Sequence, residues 1–118
     1  MAVSAEFSEY IEELFADFGP VRIRRMFGGA GIFHGDVMIG LVSDGTVYLR
    51  ADADTAPDFE AEGSTPFGYD GRSKRINLPY WKLPERLLDE PDELAHWVRK
   101  AHDVALSAKS KKTKRKRD

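Results

Sequence analysis

The chain of 118 residues contains no cysteine. That excludes a disulfide framework, a thiolate nucleophile and any cysteine-ligated metal site. No apolar run approaches the ~18 residues that a membrane-spanning helix requires, and the first fourteen residues carry Glu6, Glu9, Glu12 and Glu13 with no basic side chain. A secretory signal needs a basic start followed by an uncharged apolar stretch, so none is expected. These absences predict a cytoplasmic protein without a membrane span. Catalytic signatures are equally thin. There are three histidines, and neither a Gly-x-Ser-x-Gly elbow nor a glycine loop followed by Lys-Ser/Thr is present.

What is present suits a single folded domain. Hydrophobic residues make up 42% and charged residues 32%, and a chain of this length buries roughly two-thirds of its unfolded surface. The formal net charge of −2 averages two unlike parts. Residues 109–118 hold Lys109, Lys111, Lys112, Lys114, Arg115, Lys116 and Arg117 against Asp118 alone, a balance of +6, which leaves −8 on residues 1–108. The basic segment has no apolar residue to bury, so it is expected to be a disordered tail on a domain spanning 1–108.

Along the chain, Phe7, Ile11, Leu14 and Phe18 form one apolar stripe, which predicts a helix over 4–18 ended by Gly19-Pro20. The period then changes to two. Val21, Ile23, Arg25 and Phe27 share one side and Arg22, Arg24 and Met26 the other. Gly28-Gly29-Ala30-Gly31 interrupts, Ile32-Phe33 follows, and a turn leads to a strand with Val37, Ile39 and Leu41 on one face. Asp44-Gly45 predicts a two-residue hairpin into 47–51. A short helix about Phe59 comes next. Strand 65–69 then turns at Asp70-Gly71 into 73–82, where Pro79 predicts an edge strand or a strand end. The last helix begins near Pro91 and Asp92, carries Leu94, Trp97, Val98, Ala101 and Ala105 on its stripe, and is expected to fade near Ala108. The fold class is therefore α+β, a two-layer arrangement with an antiparallel sheet of about five strands and the helices on one face.

The ordered set of Arg24-Arg25-Met26-Phe27-Gly28-Gly29-Ala30-Gly31-Ile32-Phe33, Asp44-Gly45, Val47-Tyr48-Leu49-Arg50-Ala51-Asp52, Pro66-Phe67-Gly68-Tyr69, Leu83-Pro84 and Trp97 with Ala101 and Ala105 resembles the N-terminal domain of the TfoX/Sxy family over about residues 6–106. The resemblance implies helix, three strands, helix, two strands, helix. It also implies regulation: full-length family members are positive regulators of DNA-uptake competence genes, working with a cyclic-AMP receptor protein at its promoters. The family supplies no catalytic residues. Its regulators carry a second, C-terminal domain where this chain turns basic, so the expectation is an N-terminal module standing alone.

Each candidate site has a structural alternative. Gly28, Gly29 and Gly31 suggest a phosphate cradle, but a strand and not a helix follows, so a bulge or tight bend where only glycine fits is the stronger reading. His34, His96 and His102 read as solvent-facing, and the paired carboxylates as helix starts and solvated faces. Two basic clusters, Arg22, Arg24 and Arg25 and then Arg72, Lys74 and Arg75, fall on strands near Tyr48, Tyr69, Tyr80 and Trp81. On an open sheet face such residues track a nucleic-acid backbone and stack bases; the alternative is cations guarding sheet edges and pairing with acids. The tail is suited to weak, salt-dependent contact with polyanions.

The leading expectation is a non-enzymatic regulatory or adaptor domain that acts through a protein partner in transcription regulation and needs no cofactor or metal, its tail adding nonspecific nucleic-acid affinity. A direct nucleic-acid binder using Arg22, Arg24, Arg72, Lys74, Arg75 and the tail is the second reading. A small enzyme or ligand binder is the third.

Overall fold

The computed structural model describes the backbone of residues 5–26 and 29–117, and the side chains of all of these except 69, 70 and 110–117. The stripe of Phe7, Ile11 and Leu14 forms α1 (Ala5–Leu14). Phe15 and Phe18 lie in the turns beyond it and still reach the core, Phe15 almost fully. Ser4, where that helix was expected to begin, lies outside the described residues. Four strands follow: β1 (Arg22–Met26), β2 (Gly29–His34), β3 (Val37–Ser43) and β4 (Thr46–Arg50). The β3–β4 hairpin is the expected Asp-Gly turn, with Asp44 and Gly45 both at positive φ (50° and 73°), the combination that matches strand twist. Helix α2 (Ala56–Ala61) is the expected short helix about Phe59. Before it, Asp52 Oδ1 accepts from the N–H groups of Asp54 and Thr55, and Thr55 Oγ1 accepts from Asp52 N–H. After it come β5 (Pro66–Asp70), β6 (Arg75–Lys82), a 3-10 turn (Glu85–Asp89) and α3 (Pro91–Arg117).

The strands make one antiparallel sheet in the order β1-β2-β3-β4-β6-β5. About five strands were expected; the sixth arises because β1 and β2 are separate strands. All three helices contribute to one core: Ile11, Phe59, Leu94 and Val98 with Ala30, Ile32, Ile39, Val42 and Leu49 from the sheet. This α+β layering agrees with the sequence reading.

Four local expectations change. First, Leu41 does not join Val37 and Ile39. Ile32 pairs with Gly40 but Phe33 pairs with Met38, so an extra residue is accommodated at Ile39. Beyond this bulge the alternation inverts: Val42 takes the core side at 2% exposure, and Leu41 turns to the other face. Second, Gly29 and Gly31 lie inside β2 and do not interrupt the strands; Gly28 lies outside the described residues. Glycine at 29 is required by close approach, since a Cβ there would sit 2.1 Å from the Val42 carbonyl oxygen. Third, β6 is an inner strand despite Pro79. The proline is accommodated because pairing with β4 ends at Tyr80 and pairing with β5 is bulged between Pro66 and Gly68. The β5–β6 connection is a loop over 71–74 closed by Gly71 N–H to the Lys74 carbonyl at 2.8 Å, so Arg72 and Lys74 are loop residues. Fourth, where the last helix was expected to fade near Ala108, the backbone of α3 continues to Arg117. Lysine and arginine are good helix formers and cations favour a helix C-terminus.

A surface ion network ties the helices together. Arg86 donates to both oxygens of Glu62 (2.8 and 2.8 Å) and of Glu93 (2.9 and 2.6 Å), joining α2, the 3-10 turn and the start of α3. The Arg86 hydrogen bonds hold both carboxyls below their ordinary value of 4.5.

Two outcomes follow from these contacts. Val42→Ala should cost about 2 kcal/mol in urea unfolding, and Leu41→Ala less than about 1 kcal/mol, the reverse of what strict alternation predicts. Because the Glu62 and Glu93 carboxyls are depressed, their contribution is present above the unfolded value near 4.5 and is lost as pH falls through the folded values. The difference in Tm between the wild type and Arg86→Leu should therefore be largest at neutral pH and shrink below about pH 4.5 in thermal melts.

Candidate functional site

With every helix on one side, the opposite face of the sheet is uncovered. Register places side chains on it strand by strand. Arg22, Arg24 and Met26 of β1 oppose Phe33, Gly31 and Gly29; Leu41 of β3 opposes Tyr48; and Arg50 of β4 opposes Tyr80. In the middle is a groove of about 420 Å³ with Met26, Met38, Leu41, Phe67, Leu78 and Tyr80 among its walls. Beside it Gly31 has no room for a side chain: a Cβ there would stand 2.9 Å from the Met26 and Phe33 side chains and 3.2 Å from Met38 Sδ. The missing side chain lets two thioethers and a ring settle over the strand. Met26 remains 46% exposed at the rim.

Arg50 lies over Tyr80, one of the groove's walls, in an unusual state. Its guanidinium lies 5.4 Å from the Tyr80 ring centroid, and Nη1 is 3.4 Å from the Tyr80 hydroxyl. Its Nε–H is buried and has no acceptor among the described residues. An orphaned donor on a half-buried cation is costly unless an acceptor arrives from elsewhere. Tyr48 packs edge-on against Phe67 at 5.0 Å between centroids.

The predicted basic clusters are not brought together. Arg22 and Arg24 share the open face on edge strand β1, whereas Arg25 pairs with Ala30 and belongs to the helix side. Arg72 and Lys74 project from the 71–74 loop and Arg75 begins β6, separated from β1 by β2, β3 and β4. Lys109 is exposed on α3, and the side chains of Lys111, Lys112, Lys114, Arg115, Lys116 and Arg117 lie outside the described residues. Of the aromatics expected to lie near the basic clusters, Tyr48 and Tyr80 reach the open face, Trp81 faces the core, and the side chain of Tyr69 is outside the described residues.

The histidines differ from expectation. His34 and His102 are half-buried with ring centroids 4.9 Å apart, both against Phe18, and His34 Nδ1 is 2.7 Å from the Pro20 carbonyl oxygen, a hydrogen bond that it donates. They close the corner between α3, β2 and the segment after α1. Only His96 is exposed. Among the described residues no three His, Asp or Glu side chains gather as a metal would require, and no helix is long and apolar enough to cross a membrane.

Arg50 was overlooked in the sequence because a single arginine between Leu49 and Ala51 carries no pattern. Leu41 was assigned to the core by alternation. The available signal was the cluster of Met26 and Met38 near a glycine-rich strand.

The family model for the TfoX N-terminal domain matches residues 13–105, from α1 through α3. The chain belongs to this family. It is 31% identical over 113 residues to DNA transformation protein TfoX1 of Aliivibrio fischeri, covering 92% of this chain and 54% of that protein. It is 27% identical over 106 residues to protein Sxy of Escherichia coli K12, covering 90% of this chain and 51% of Sxy. The chain thus spans about half the length of the curated relatives it matches. The TfoX N-terminal domain match contains all six strands, and with them every residue named above on the open face.

Proposed function

We propose that this chain is a non-enzymatic regulatory domain that acts in transcription regulation through contacts with a protein partner. What carries the reading is the likeness over nine-tenths of the chain to a DNA transformation protein. The open sheet face supports it: an apolar groove beside a cation without an acceptor among the described residues is suited to contact. The segment 109–118, as an appendage to the domain of residues 1–108, adds affinity for nucleic acid of either kind. Seven cations in ten residues exchange with condensed counterions and read no base edges.

Deleting the gene and sequencing the transcripts of its own cells tests the regulatory reading. A defined group of genes should change together, and an unchanged transcript profile would overturn it. For the appendage, Lys109, Lys111, Lys112, Lys114, Arg115, Lys116 and Arg117 are replaced by Gln in the full chain, and duplex DNA binding is titrated against salt. The wild type should bind weakly, with a log–log slope no steeper than about −6. The Gln variant should not bind. Retained binding would move the nucleic-acid site onto the body of the domain.

A further inference from the structure

The open sheet face combines apolar surface with cations and almost no acid. The six strands carry Arg22, Arg24, Arg25, Arg50, Arg75 and Lys82, and one acid, Asp70. The remaining eighteen Asp and Glu of residues 1–108 lie on helices and connecting segments. On the open face the groove supplies aliphatic and thioether surface, and methionine adapts its shape to what it meets. Arg50 lies over Tyr80, one of the groove's walls, with Nε–H unsatisfied and no ion pair among the described residues. Arg22 and Arg24 extend the positive charge along β1.

We infer that this face binds a protein segment in which one or two bulky apolar side chains enter the groove walled by Met26, Met38, Leu41 and Leu78 while an adjacent Asp or Glu carboxylate meets Arg50. This rests on the reading of the chain as a domain that works through protein contacts, and it names the surface and the partner's chemistry. Arginine at a desolvated rim beside an apolar centre is the pattern of an interface anchor. Single-stranded nucleic acid fits less well. Its affinity comes from bases stacking on open rings, but Tyr48 is turned edge-on to Phe67 and Tyr80 is only 9% exposed beneath Arg50. A second copy fits less well too, since face-to-face pairing sets Arg22, Arg24 and Arg50 against the same cations.

The test is a selection of random twelve-residue peptides displayed on phage against the immobilised full chain, followed by fluorescence-polarisation titration of the enriched peptides. Enriched sequences should place a bulky apolar residue within a few positions of Asp or Glu. Arg50→Met should weaken their binding about tenfold or more, as loss of a charge-assisted hydrogen bond does. Met26→Asp, at an exposed position that tolerates a charge, should weaken it as well, so the result does not depend on the Arg50 variant folding. Arg99→Met, on α3, should leave affinity unchanged. Enrichment of basic or sequence-random peptides would overturn the inference. So would equal affinity in the wild type, Arg50→Met and Met26→Asp. Displacement of the peptide by a thymidine oligonucleotide whose own binding needs Arg50 would assign the face to nucleic acid. The regulatory reading stands or falls separately, on the transcript profile: peptide binding with unchanged transcripts would leave the docking site and remove the regulatory role.

Discussion

Helix α3 packs on β3 and β4 through a stripe in which Leu94 and Val98 are fully buried and Ala101 and Ala105 nearly so. The alanines keep this side of the helix thin, which brings its backbone close to the sheet. Opposite them the sheet supplies Ile39, Val42 and Leu49, and Gly40 admits the Tyr48 carbonyl oxygen at 2.6 Å from where a Cβ would be. Helix α1 then adds Ile11 and Phe15, and α2 adds Phe59, which meets Trp97 at 4.9 Å between centroids. Once α3 has taken one side of the sheet, the short α1 and α2 gain most by joining the same core, and the other side of six strands is left to solvent.

That one-sidedness decides where charge goes. The helices need polar outer faces, and α1 meets this with Glu6, Glu9, Glu12 and Glu13 and no base. The strands carry cations on both sides of the layer and almost no acid. The −8 of residues 1–108 is therefore not spread evenly. Acids are concentrated on helices and connecting segments, and the open face carries cations between apolar side chains.

The larger scheme was legible because helical and strand periods differ so clearly in this chain. Phe7, Ile11 and Leu14 declare α1, Asp44-Gly45 declares the hairpin, and Leu94, Val98, Ala101 and Ala105 declare α3. Three kinds of information were not local. A bulge changes the face of every residue beyond it without changing composition, and so Leu41 and Val42 were exchanged. Strand order depends on tertiary pairing: β2, β3 and β4 stand between Arg22 and Arg24 of β1 and the hairpin that carries Arg72, Lys74 and Arg75. The meeting of His34 with His102 joins residues 68 positions apart. The candidate site is built mostly from such non-local facts. Its chemistry-bearing types were visible in Tyr48, Tyr80 and the arginines of β1, but its groove and its unsatisfied Arg50 were not.

An acidic body weighs against any anionic partner, peptide or nucleic acid alike, if charge is treated as a single sum. Distance alters that judgement. Layers packed together are separated by roughly 10 Å, about one Debye length at 0.1 M salt. A carboxylate arriving at the open face is screened from acids on the far side of the helices, while Arg50 is in contact with it. Contact wins further because the Arg50 guanidinium is already partly stripped of water against Tyr80, so the desolvation that usually opposes a buried ion pair has in part been incurred on folding. A phosphate chain would gain the same cation but leave the apolar groove unfilled. A peptide satisfies both, and that difference, more than net charge, sets the preference of this face.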